Sequence, residues 1–189
     1  MSVDREFETI DLIVNSQFET RGVDAFALAV IKADRQLRKL FTHIVFQFPC
    51  FGSSDIRFLR ETLGNNKGIY FKETEACINA LIFCTVKDLV GAMYDEFRPR
   101  IEEAIEYRNK IFHGQLTQKY LSRDDLFELV RDIRGWCNAL SDGALAHIGY
   151  DGFDRDSFRK SCKQDFSNKL RVQFGDVEAY ADFLKQHMR

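Results

Sequence analysis

Pro49 and Pro99 are the only two prolines in 189 residues. Proline removes a backbone donor and breaks regular helices, so a chain this poor in it has room for long helical runs. Such runs are present. From Val23 to about Phe48, apolar residues recur at Phe26, Val30, Ala33, Leu37, Leu40 and Ile44, close to a helical period. A second run, Ile69 to about Phe97, has an apolar middle at Ile78, Leu81, Ile82 and Leu89 and predicts one long central helix. Pro99 is tolerated in a first turn and Gly114 suits a stop, which predicts a third helix over Pro99–His113. Ser122 followed by Asp125 reads as a capping signal for a fourth, carrying Leu126, Val130, Ile133, Trp136, Cys137 and Leu140.

Shorter helices are expected near Phe7–Phe18 and over Ile56–Leu63. Two more are expected after Gly143 and the Gly149–Phe153 loop, near Asp156–Phe166 and Asp176–His187. The fold class is therefore all-α. With 45% hydrophobic and 30% charged residues, the chain suits one globular domain over 1–189, with a core at about 23–145 and a C-terminal helical extension at about 150–189.

Several function classes are disfavoured. Met1–Glu8 is charged and lacks the apolar region of a secretory signal, so a cytoplasmic location is expected. The longest nearly apolar run, Ala76–Val86, falls well short of the ~20 residues of a membrane span. Five cysteines, Cys50, Cys77, Cys84, Cys137 and Cys162, contain no CxxC pair, which predicts buried thiols in place of a disulfide framework or zinc site. No Gly-rich phosphate loop, nucleophile elbow or HExxH pattern occurs, and no cofactor or metal is expected. A net charge of -2 argues against a nucleic-acid coat protein. The basic clusters around Arg35, Arg38 and Lys39, Arg98 and Arg100, and Arg155, Arg159, Lys160 and Lys163 read as solvated faces.

One stretch stands apart, Tyr107-Arg-Asn-Lys-Ile-Phe-His-Gly-Gln115. Ile101, Ile105, Arg108 and Phe112 follow the i, i+4, i+7, i+11 spacing, which puts an arginine on a stripe meant for packing. A guanidinium there must meet a carboxylate such as Glu103 or Glu106, line a wet cleft, or sit at an interface. Asn109 and His113, one turn apart, share a side of the last turns. The set suits a phosphodiester. Arg108 can fork two N–H groups onto phosphate oxygens, His113 can act as base or acid on a ribose 2′-OH or leaving 5′-oxygen, and Asn109 can orient either.

Arg108-Asn109-Lys110-Ile111-Phe112-His113 resembles the R-x(4-6)-H motif of HEPN domains, including the polar residue after the arginine. The resemblance implies an up-and-down helical bundle with the motif near one helix end, here with additional C-terminal helices. It also implies a metal-independent endoribonuclease acting on single-stranded RNA, of the kind found in toxin-antitoxin and phage-defence systems, with Arg108, Asn109 and His113 catalytic. A homodimer with a composite cleft is implied as well, as are RNA and an antitoxin or defence-system protein as partners, and no membrane. Some members of the family keep the fold as non-catalytic RNA- or protein-binding modules. Members silenced by a nucleotidyltransferase antitoxin carry a tyrosine two residues after the histidine. Gln115 occupies that position here, which argues against that mode of control.

Three further features carry two readings each. Phe46, Phe48, Phe51 and Phe71 are expected in the core, with a dimer or base-stacking surface as the alternative. His43 reads as structural, with a second proton carrier as the alternative. Asp151-Gly-Phe-Asp lacks EF-hand spacing and reads as a plain loop.

Overall fold

The computed structural model describes residues 3–65, 70–154, 156–160 and 166–187. Among them the chain is all-α: α1 Val3–Val14, α2 Arg21–Phe46, α3 Ile56–Asn65, α4 Phe71–Leu81, α5 Val86–Val90, α6 Tyr94–Phe112, α7 Arg123–His147 and α8 Val177–His187, with short 3-10 turns at Ser53–Asp55, Gly91–Met93 and Phe166–Lys169. The one pairing of extended residues among the described residues is an isolated antiparallel bridge between Ile82 and Leu170.

Four helices form an up-and-down bundle. The start of α2 lies beside the start of α7, where Gly22 faces Arg123 and Leu126. Further along, Gln36 Nε2 donates to the Cys137 carbonyl, so the two helices run parallel. Helix α6 runs against α7, joined by Arg100 to Asp132 at 2.8 Å and by Phe97 seated under Gly135. Helix α1 runs against α2 through Lys32 to Glu6, and Arg134 of α7 reaches Asp11. Apolar faces meet in one core around Trp136, with Phe26, Phe41, Leu37, Leu40 and Ile133 buried. No described helix is long and apolar enough to cross a membrane.

The fourth expected helix begins where its cap predicts. Ser122 Oγ accepts from the Asp125 N–H, and the Asp125 carboxylate accepts from the Ser122 N–H. Replacing an N-cap serine by alanine costs about 1 kcal/mol. Ser122→Ala is expected to lower Tm by about 3 °C in a domain of this size, with helix content by circular dichroism unchanged at 20 °C or about that temperature.

Three expectations about the elements are corrected. The helix over Ile69–Phe97 is two helices and the start of a third. Ile82 is extended where it bridges Leu170, Asn79 Oδ1 accepts from the Val86 N–H, and Thr85 with Asp88 builds a new N-cap. Pro99 does not open its helix: α6 starts at Tyr94, because Tyr94 packs at 5.9 Å from Trp136 and Phe97 packs on Gly135, holding an extra turn ahead of the proline. Asp156–Phe166 is no helix in its described part. Residues 156–160 are irregular, residues 161–165 lie outside the described residues, and Phe166 opens a 3-10 turn.

The C-terminal segment packs on the bundle. Tyr150, Phe153, Phe166, Phe174 and Tyr180 are buried with the helical core. Lys160 Nζ donates to the carbonyl of Phe46, the last residue of α2, and to that of Phe48 just beyond it. Lys39 Nζ donates to the carbonyls of Phe153 and Asp154. These contacts hold the middle and C-terminal end of α2, away from the end where α6 finishes and α7 begins.

Candidate active site

Helix α6 stops by chain geometry that the sequence specifies. Gly114 takes φ +62°, its N–H donates to the Ile111 carbonyl, and Gln115 N–H donates to the Lys110 carbonyl at 2.8 Å. This is a Schellman stop. It places His113 at the helix boundary, where its own N–H bonds the Asn109 carbonyl and its ring is exposed. Asn109 is exposed one turn earlier.

Arg108 is half-buried. Its Nε is shielded from solvent and makes no hydrogen bond among the described residues, while its guanidinium carbon lies 6.0 Å from the centre of the Phe112 ring. Neither nearby acid pairs with it. Glu103 is taken by Arg100 and by the Tyr107 hydroxyl, and Glu106 by Lys110 at 2.6 Å. Arg108 thus differs from Arg98 and Arg100, which pair with Glu75 and Asp132. Glu103, by accepting the Tyr107 hydroxyl, pushes that phenol up to about 12, so Tyr107 carries no proton traffic near neutrality. The stretch from the end of α6 towards α7 carries three exposed apolar or aromatic side chains: Phe112 is 62% exposed, Leu116 94% and Tyr120 92%.

Beside the motif a cleft of about 340 Å³ opens between the start of α4 and the outer face of α6, and Asn109 lies on its wall. Tyr70, Phe71, Glu73 and Arg98 line it with Glu102, Ile105 and Glu106. The sequence alone does not show this cleft, because the helix expected over Ile69–Phe97 is continuous, whereas the break at Ile82–Thr85 folds α4 back alongside α6.

The remaining candidates are structural. Phe46, Phe48, Phe51 and Phe71 are core residues. Among the cysteines, Cys77 and Cys137 are buried, whereas Cys50 and Cys84 are half-buried, short of the buried state expected for them; Cys162 lies outside the described residues. The Asp151 loop docks on α2, with Asp151 Oδ1 accepting from the Phe153 and Asp154 N–H groups and the Asp151 carbonyl accepting from Gln36. Of the basic clusters, Lys39 and Lys160 are spent on backbone carbonyls, and Arg159 stands 3.4 Å from Asp154. Arg155 and Lys163 fall outside the described residues. No group of three or more His, Cys, Asp or Glu residues able to hold a metal occurs among the described residues.

His43 is fully buried, stacked on Tyr150 at 4.5 Å, with Nδ1 3.2 Å from the Ser157 carbonyl. A carbonyl only accepts, so Nδ1 carries the proton. Burial lowers the ring to about 4, and Arg159 adds to that shift. The unfolded ring, near 6.5, therefore binds a proton first as pH falls. This contribution to stability is complete above about pH 6.5 and is lost on going down to about pH 4. The loss is about 3 kcal/mol. Urea midpoints at pH 7 and 4.5 are expected to differ less in His43→Asn than in the wild-type protein; equal differences would remove His43 as the source.

Comparison of the chain with family models, with curated proteins and with solved structures gives no match.

Proposed function

We propose that the chain is a metal-independent endoribonuclease of HEPN type. The observation that carries the reading is Arg108, a half-buried guanidinium with a shielded Nε and no carboxylate partner, one residue from exposed Asn109 and five from exposed His113 at the helix stop. An arginine retained only for packing would be expected to meet Glu103 or Glu106, and both are engaged elsewhere.

In this reading Arg108 forks onto the non-bridging oxygens of the scissile phosphate and stabilises charge that builds as the 2′-oxygen attacks phosphorus. The P–O5′ bond breaks, leaving a 2′,3′-cyclic phosphate and a 5′-OH. His113 moves the proton, taking it from the 2′-OH or handing it to the departing 5′-oxygen, and Asn109 positions the phosphate. The exposed Phe112, Leu116 and Tyr120, on and just after the motif in the chain, offer apolar surface that a second copy would cover. Two His113 rings would then share base and acid roles, in the cytoplasmic toxin or phage-defence setting of the family, with an antitoxin or defence protein as regulator.

A specific observation also favours the second reading, a non-catalytic HEPN module. On one chain His113 is exposed to solvent, and the exposed Phe112, Leu116 and Tyr120 suit a binding partner. Incubation of the purified chain with single-stranded RNA in EDTA separates the two. Fragments with cyclic-phosphate and 5′-OH ends are the expected result. Cleavage that needs a metal, or fragments ending in 3′-OH, would sink the ribonuclease reading, and intact RNA would favour the binding module.

A further inference from the structure

Tyr70, on the wall of the cleft between α4 and α6, is an aromatic residue the fold does not use. Tyr94, Tyr107 and Tyr150 each set the hydroxyl on a protein acceptor, and Tyr180 packs on Phe51 and Phe174. The Tyr70 side chain makes no hydrogen bond and no ring contact among the described residues, and it is 63% exposed. It stands at the N-cap of α4, where a short polar side chain would cap the helix and this one does not. A large open ring is thus held at a cleft for no structural gain.

Charge and position say what that ring can take. Glu102 and Glu106 are exposed on the cleft wall and outnumber Lys72, while the Arg98 guanidinium is already held by Glu75. An anionic group is repelled there, and an uncharged flat one is not. Asn109 of the motif lies on the same wall, one residue from Arg108 and one turn from His113. An RNA strand carries its charge in the phosphates and its neutral flat surface in the bases.

We propose that Tyr70 is the stacking platform for an unpaired base beside the scissile phosphate. The proposal rests on the ribonuclease reading for its substrate. The base lies on the Tyr70 ring, in a cleft of about 340 Å³, at the small end of ligand sites. Its phosphate stays outside the acidic walls, at Arg108 and His113. Stacking needs only a π-face and reads no hydrogen-bonding edge, so the platform accepts all four bases and requires only that the base be unpaired.

Binding is measured in the His113→Ala background by fluorescence anisotropy of a labelled single-stranded RNA in EDTA. Tyr70→Ala is expected to weaken binding about tenfold, the usual worth of one stacked base, whereas Tyr70→Phe and Tyr70→Trp keep it. The ring is exposed, so all three variants should melt with the parent protein. An abasic residue scanned through the RNA should cost about tenfold at one position, and nothing at that position in Tyr70→Ala. Unchanged binding by Tyr70→Ala overturns the platform, as do equal losses in Ala and Trp, an abasic cost that persists without the ring, or no RNA binding at all. The two readings fail separately. Ring-dependent binding with intact RNA from the wild-type protein keeps the platform and removes the ribonuclease, whereas cleavage by Tyr70→Ala with the wild-type KM does the reverse.

Discussion

His113→Ala is expected to retain the wild-type melting temperature and lose RNA cleavage by about a thousandfold, the typical worth of a positioned acid or base. The stability half of that expectation follows from the helix stop. The turn is closed by backbone bonds from His113, Gly114 and Gln115, none of which involves the imidazole, and the ring is exposed. Arg108→Lys keeps the charge and removes the planar fork, so it should recover little of the activity lost in Arg108→Ala. Lysine restoring full activity would mean that Arg108 supplies only general positive charge. Cleavage by His113→Ala at the wild-type rate would take the proton-transfer role from this residue, and any nuclease activity would have to be traced elsewhere. Size-exclusion chromatography of the Arg108 variants distinguishes a lost phosphate contact from a lost association between copies.

The features written into short stretches were legible in the sequence, and those that depend on distant packing were not. Ser122 and Asp125 announce the start of α7, and Gly114 announces the end of α6, because caps and stops are satisfied within a few residues. The periodicity from Phe26 to Ile44 gives α2 for the same reason. The split of the central run has a local signal, since Thr85-Val-Lys-Asp88 is itself a capping box. It was masked by the apolar residues on both sides, Ile82 and Leu89, which the helical period accepts equally well. Nothing local places Ile82 against Leu170, and so nothing local brings Tyr70 and Glu73 alongside Asn109. Arg108, Asn109 and His113 sit on one helix, which is why the motif was visible and its neighbouring cleft was not.

That local bias also explains the C-terminal segment. Its residues are anchored singly by long-range bonds, such as Ser157 to His43 and Lys160 to the end of α2. A helix that repeats one local bond would show a period, but isolated anchors leave none. Because these anchors fall on the middle and far end of α2, the segment stabilises the bundle while leaving the Phe112–Tyr120 surface open.

Gly143 offers the strongest test of the architecture. The residue lies inside α7, where α5 crosses so closely that a Cβ would stand 1.8 Å from the Leu89 carbonyl oxygen and 2.6 Å from its carbon. Both atoms are backbone, so no rotamer change relieves the clash and α5 must move. Leu89 and Val86, both buried, would be pulled from the core. Gly143→Ala is therefore expected to cost about 3 kcal/mol or more, at the upper end of overpacking substitutions, and to lower Tm by roughly 10 °C. Gly64→Ala is the matched control. It also lies in a helix, with nothing within 4 Å of the added carbon, and it should be neutral or stabilising by a few tenths of a kcal/mol or about that. Since α5 is the link that returns the chain from α4 to α6, loosening it should also disturb the cleft between α4 and α6 before it disturbs the helix stop at His113. A Gly143→Ala protein that melts like wild type would mean that α5 does not cross α7 at this glycine.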